Sequence, residues 1–238
     1  FNKAVANDLV VKNPAAHLDK MKRAPKKPRE SFTRDEVDKM MKELPDNKIG
    51  WSIRLLLFTG MRPGEILGLE PRHIAKDGSW INIEQATVKV KGTTEIGPPK
   101  TVDSYRTVPV PELVRYCARN LRNTDKKFIW DSPKKPGHPC NESYFRTLFK
   151  EALAGIEGVR VLTPYNCRHT CISHLVALGV DPITITSIVG HADTDMINEV
   201  YAHPLEHARQ DAIKRFDDPF SNRQGDTQAR VLQFVKSS

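Results

Sequence analysis

No stretch of the 238 residues approaches the roughly 20 consecutive apolar side chains that a membrane-spanning helix needs. The amino-terminal residues also lack the charged start, short apolar core and small-residue cleavage site of a secretory signal. Cysteine is scarce, with Cys117, Cys140, Cys167 and Cys171 making four. They form neither a CxxC redox pair nor the Cys/His spacing of a zinc ribbon, so the expectation is four reduced thiols and no metal. There is no internal repeat, which sets aside solenoids and propellers. These absences together lead to the expectation of a protein of the cytoplasm or the nucleoid.

Charge, in contrast, is plentiful. Thirty-seven basic residues are interleaved with 29 acidic ones, for a formal net charge of +8 and a pI near 9.3. The mixture describes a folded basic protein, not a polycationic tail. It suits a polyanionic partner, through release of counterions from phosphates, although such a charge also serves solubility alone.

Along the chain, Ala4 to Leu18 has a weak helical pattern too short to fold by itself. Residues 1–18 are therefore expected to be the end of a preceding domain. Residues 19–30 carry Lys20, Lys22, Arg23, Lys26, Lys27 and Arg29 with two prolines. This composition resists helix formation and burial and predicts a linker, either an arm along DNA phosphates or a solvated hinge. A compact domain is expected over residues 31–218. It opens at Thr33-Arg34-Asp35-Glu36, whose spacing is that of a capping box. Ile49 to Phe58 is apolar enough for a core helix, and Pro63 restarts a second one. Trp80 to Ile83, Thr87 to Val90 and Tyr105 to Val110 alternate or are β-branched and predict a small antiparallel sheet. Helices are expected over Glu112 to Leu121, Glu142 to Ala154, Pro164 to Leu178, Pro182 to Val189, Asp195 to Tyr201 and Leu205 to Phe216. The predicted fold class is mainly α with a small antiparallel β-sheet, an α+β domain. Residues 219–238 are a polar tail except for Val231, Leu232, Phe234 and Val235. That patch either docks, in cis or on a neighbouring protomer, or belongs to a disordered end.

Chemistry concentrates in a few places. In Thr59-Gly60-Met61-Arg62-Pro63-Gly64-Glu65 a core helix breaks at glycine and an arginine stands at the start of the next helix. A guanidinium beside free backbone N–H groups makes an anion site, unless Glu65, three positions on, already satisfies it. Pro164 then starts a helix with Cys167, Cys171, Leu175 and Leu178 on one apolar face. Tyr165 and Arg168, spaced i and i+3, lie on another face with His169 beside them. Arg168 is a second candidate phosphate clamp. Gly190 stops the next helix and hands the chain to His191, and Tyr201 follows ten residues later.

The segments Thr59 to Glu65, Arg168-His-Thr170, Val189-Gly-His191 and Tyr201-Ala-His203 resemble, in order and separation, the successive boxes of the tyrosine recombinases, the phage-integrase family. The resemblance implies a recombinase catalytic domain preceded by a core-binding domain and a basic linker. It also implies a reaction. Arg62 and Arg168 would hold the non-bridging oxygens of a scissile phosphate, and Tyr201 would attack phosphorus to form a 3′-phosphotyrosyl bond. His191 would contact the phosphate and Glu65 would orient Arg62. A hairpin lysine would protonate the leaving 5′-hydroxyl. Lys100, in Pro98-Pro99-Lys100-Thr101, best matches that position, with Lys91 as the competitor. No metal or other cofactor is implied. Three residues before Arg168 the family most often has histidine or lysine, whereas this chain has Tyr165, a phosphate donor but a poor base near neutral pH.

The partners so implied are double-stranded DNA at specific attachment sites and a homotetramer in synapsis. An excisionase or DNA-bending accessory proteins join them, in a bacterial or phage setting. The long hairpin from Thr87 to Pro109 looks more like integrases of mobile elements than chromosome-dimer resolvases. The competing readings are a type IB topoisomerase and a DNA-binding regulator that keeps the fold without the chemistry.

Overall fold

A computed structural model describes residues 1–14, 30–90, 92–98 and 105–190. The linker cations from Lys20 to Arg29, together with Lys91, Lys100, His191 and Tyr201, lie outside the described residues. So do the helices expected over Asp195 to Tyr201 and Leu205 to Phe216, and the tail. Within the described part, the fold is mainly α with small antiparallel β-sheets, as expected.

The amino-terminal segment holds one short helix, α1 (Asn2–Ala6). Helix α2 (Arg34–Glu43) begins at the expected capping box, with the Thr33 side chain accepting from the Glu36 N–H and the Glu36 carboxylate accepting from the Thr33 N–H at 2.7 Å. Helix α3 (Lys48–Thr59) starts where the Asn47 side chain accepts from the Gly50 N–H. Ile53, Leu55, Leu56 and Leu57 are all buried, so α3 is covered on every side, which is the position of a central helix. It packs against α5 (Arg115–Arg122), α6 (Glu142–Ala154) and α7 (Pro164–Ala177). Gly60 ends it with φ +61°, and a Cβ there would stand 2.9 Å from Val189 Cγ1 and 3.3 Å from Cys171 Sγ. Only glycine allows both the left-handed cap and so close an approach of neighbouring helices.

Helix α4 (Pro63–Leu67) follows at once, with proline in its first position. The β excursion differs from expectation in its pairing. Strand β1 (Trp80–Ile83) pairs with β4 (Arg106–Pro109), while β2 (Ala86–Val90) pairs with β3 (Thr93–Gly97), giving two antiparallel ribbons. The sequence reading missed β3, because Thr93-Thr94-Glu95-Ile96-Gly97 buries none of its residues fully and shows no apolar alternation. The helix expected from Glu112 opens as a 3₁₀ turn, and α8 (Pro182–Val189) falls where predicted.

The apolar face assigned to α7 is also revised. Cys167, Cys171, Ile172 and Val176 are buried, but Leu178 is 78 % exposed because the helix ends before it. Arg168, His169 and Thr170 are buried as well, so α7 is enclosed on both faces near its start. All four cysteines are free and buried. Burial pushes the Cys171 thiol up to about 12, which makes it an inert core side chain.

One ion pair fastens the start of α2 to the segment before α7. Glu36 accepts from Arg160 Nε at 2.8 Å and Nη2 at 2.7 Å, and from the Arg160 N–H at 2.9 Å. These bonds, from the Arg160 side chain first, hold the Glu36 carboxyl down to about 2 against the opposing effect of burial. A group depressed in the folded state stabilises fully above its unfolded value, near 4.5, and ceases to do so as pH falls toward 2. Arg160 is 45 % exposed, so solvent screening reduces the contribution to about 2 kcal/mol. Glu36→Gln is accordingly expected to lower unfolding free energy by about that amount at pH 7, and the gap should close between pH 4.5 and 2 in urea titrations. A gap that stays constant through that window would exclude the carboxylate as its source.

Candidate nucleic-acid site

The helix break at Gly60 places Arg62 at the N-cap of α4 with extended backbone, φ −73° and ψ 148°. Its main-chain N–H donates to Glu65 Oε2 at 2.7 Å and its Nη1 to Glu65 Oε1 at 2.8 Å. The pairing foreseen between these two residues is present, but it does not close the site. Glu65 also accepts two parallel bonds from Arg106 of β4, Nη1 to Oε1 and Nη2 to Oε2, each 2.9 Å long. Four bonds saturate the lone pairs of one carboxylate. Burial alone would raise the Glu65 carboxyl. The Arg106 hydrogen bonds, with the charges of Arg106 and Arg62, overcome that and hold it below the usual carboxylate range.

Arg106 was not singled out in the sequence, although a signal was there. Residues 106 and 108 share one face of β4, and Val108 is buried. An arginine on that face must bring a buried acid with it. Arg106 also donates from Nε to the Ile188 carbonyl at 2.8 Å, which ties β4 to the last turn of α8.

Arg168 is fully buried, 0 % exposed, and donates to the Gly60 carbonyl and, at 3.4 Å, to the Gly190 carbonyl. Gly190 is therefore a meeting point. Arg168 bonds its carbonyl, and a Cβ on it would lie 3.3 Å from Arg106 Nη1 and 3.5 Å from Arg62 Nη1. Three guanidiniums from α4, β4 and α7 thus surround the turn that leads into His191, with Glu65 as the carboxylate among them. The surplus is positive, in a partly desolvated place, which suits an anion with several oxygens.

Beside Arg62 opens a cleft of about 580 Å³, walled by Pro63, Glu65, Thr87, Pro98, Arg146 and Tyr165. Arg62 and Tyr165 are thereby brought to one surface. The Tyr165 side chain, 37 % exposed, packs its ring edge-on to His169 with centroids 5.5 Å apart. His169 itself is buried, on the inner side of α7. Among the described residues no group of three or more His, Cys, Asp or Glu stands close enough to hold a metal ion. Among them too, no helix is long and apolar enough to cross a membrane.

The described domain is mainly helical and gathers arginines from three elements around one turn. The profile of the phage integrase family matches residues 30–207, and the chain belongs to that family. It is 24 % identical over 250 residues to the tyrosine recombinase XerC-like protein of Caldanaerobacter subterraneus subsp. tengcongensis, covering 92 % of this chain and 63 % of that one. It is 23 % identical over 238 residues to the ICEBs1 integrase of Bacillus subtilis, covering 92 % of this chain and 62 % of that protein. The chain thus spans a little over three fifths of the length of these two relatives. Among solved structures, the Tn1549 transposon integrase in complex with transposon right end DNA is similar with a TM-score of 0.71. Its identity is 21 %, over 90 % of this chain and 75 % of that one. XerA recombinase is similar with a TM-score of 0.56 and 20 % identity, over 81 % of this chain and 66 % of that one. These structural likenesses show the fold.

Proposed function

We propose that the protein is a site-specific DNA recombinase that integrates or excises a mobile element through a 3′-phosphotyrosyl intermediate. The observation that carries the reading is the convergence of Arg62, Arg106 and Arg168 on the turn at Gly190, in a chain of the phage integrase family. Arg62 and Arg168 would hold the scissile phosphate, directly or through the loops they brace, as charge grows on its equatorial oxygens. Tyr201 attacks phosphorus as its phenolic proton passes to His191 or water, the P–O5′ bond breaks, and the 5′-oxygen takes a proton from Lys100, with Lys91 the alternative. The reverse attack by a 5′-hydroxyl of the exchanged strand expels Tyr201 and reseals the duplex. His191 contacts the phosphate, and Tyr165 donates to it in place of the base that the family commonly carries there.

The DNA is double-stranded and carries specific attachment sites, on which four protomers synapse. An excisionase or a DNA-bending protein sets the direction, and the linker cations from Lys20 to Arg29 follow the phosphates. The protein acts on DNA in the bacterial nucleoid. A mobile-element role is favoured by the relationship to the ICEBs1 integrase. The competing regulator would need one of the chemical positions vacant, and Arg62, Lys100, Arg168, His191 and Tyr201 are all present.

The test is a suicide duplex of the element's end, nicked close to the cleavage position so that the released fragment diffuses away. An SDS-resistant protein–DNA adduct is expected, together with recombination of two-site plasmids. Relaxation of supercoils without exchange would turn the assignment to a type IB topoisomerase, and binding without an adduct to a regulator.

A further inference from the structure

We propose that Arg106 is a positioning residue of the strand-transfer site, one that fixes Arg62 and the turn at Gly190 relative to each other without itself meeting the phosphate. Three observations support this. The Arg106 side chain is 6 % exposed, against 18 % for Arg62, so it is the inner of the two guanidiniums. Its two terminal nitrogens grip both oxygens of Glu65, the same carboxylate that holds the Arg62 side chain and main chain. Its Nε reaches the Ile188 carbonyl, two residues before Gly190.

The geometry uses what distinguishes arginine from lysine. A planar fork can bind a carboxylate with two parallel bonds while its third nitrogen points elsewhere, and an ammonium cannot span both. Arg106 therefore couples α4 to the end of α8 through one rigid plane. The last turn of α8 presents carbonyls at the negative end of its dipole, where a cation is favoured. Gly190, with φ +93°, closes against the same plane: a Cβ would stand 3.3 Å from Arg106 Nη1, tighter than ordinary contact. The next residue in the sequence is His191. If Arg106 is shortened, the direction of Arg62 and the position of Gly190 are no longer set by one object.

The cleavage arm of the test rests on the recombinase reading, and an arm that needs no activity accompanies it. The full chain is compared with Arg106→Lys and Arg106→Ala. On a saturating suicide duplex, single-turnover adduct formation by Arg106→Lys is expected to slow about 100-fold, the scale of a misplacement near 1 Å. The affinity for the same duplex should change less than about threefold. A merely structural role would reduce the fraction of folded protein, while the folded remainder would cleave at the normal rate. In the second arm, ¹⁵N spectra of the free protein follow the Arg62 side-chain Nε–H and the Gly190 amide. Both signals are expected to shift and broaden in Arg106→Lys, while the Trp130 indole signal, deep in the core, stays in place. Normal adduct rates with unaltered Arg62 and Gly190 signals in Arg106→Lys would overturn the proposal. If the wild type forms no adduct on its element's DNA, the recombinase reading fails. The spectra then decide the positioning claim by themselves. Should Arg106→Ala not fold, the lysine variant carries both arms.

Discussion

Tyr201→Phe is expected to abolish the SDS-resistant adduct on a suicide duplex while leaving the affinity for that duplex within about threefold of wild type. The substitution removes one oxygen and keeps the ring, so binding that does not depend on that oxygen is expected to persist. What disappears is the atom that, in the proposed reaction, forms the bond to phosphorus. A free phenol with a pKa near ~10 is only about one part in a thousand ionised at neutral pH. In the proposed reaction, the surplus of guanidinium charge around Gly190 would lower that barrier for the attacking phenolate and for the phosphate alike. Water offered in place of the tyrosine would give hydrolysis and no protein-linked product. The measurement is therefore the adduct itself, resolved on denaturing gels with end-labelled DNA. An undiminished adduct in Tyr201→Phe would place the nucleophile on another residue, and the assignment of the final box would be wrong.

The legible parts of this protein were those in which one residue type has one physical job. The capping box at Thr33, the proline starts at Pro63, Pro164 and Pro182, and the apolar run from Ile49 to Phe58 each dictate a local outcome. Helices α2, α3, α4, α7 and α8 begin where they should. The sheet was harder. Strand β3 buries none of its residues fully, so nothing in its own sequence marks it, and its identity comes from pairing with β2. The pairing of β1 with β4 across the whole β2–β3 ribbon is equally non-local.

The site shows the same division. Arg62 and Glu65 could be read together because a helix start puts positions three apart in reach. Arg106, 41 residues from Glu65, could not be paired with it by spacing. Buried arginines are the common blind spot. Arg54 is 2 % exposed and donates to the Leu44 carbonyl at 2.6 Å at the end of α2, yet its place inside an apolar helix gives no hint of which carbonyls it serves. An arginine reads as a surface or ligand-binding residue by default. Its conversion into an internal brace depends on acceptors brought from elsewhere by the fold.

That conversion is what gives Arg168→Ala its expected severity. The side chain is the largest of those fully buried, and it connects the Gly60 carbonyl, where α3 breaks ahead of Arg62, to the Gly190 carbonyl ahead of His191. Truncation leaves a cavity and removes charge-assisted hydrogen bonds from two carbonyls in low dielectric, an expected loss of about 3–5 kcal/mol of unfolding free energy. Cleavage in the proposed reaction should suffer separately, by about 10³-fold, because the turns at Gly60 and Gly190 lose their common anchor and the positive charge behind it. The two losses can be told apart by measuring unfolding in urea and single-turnover cleavage in a stabilising osmolyte that restores the folded population. Arg168→Lys is the sharper variant: it keeps a cation at the site, but an ammonium cannot donate along both directions that the guanidinium spans. Its stability is expected to recover in part and its cleavage hardly at all. If Arg168→Lys cleaves at the wild-type rate, charge alone is what position 168 supplies, and the bracing of Gly60 against Gly190 is incidental to the chemistry.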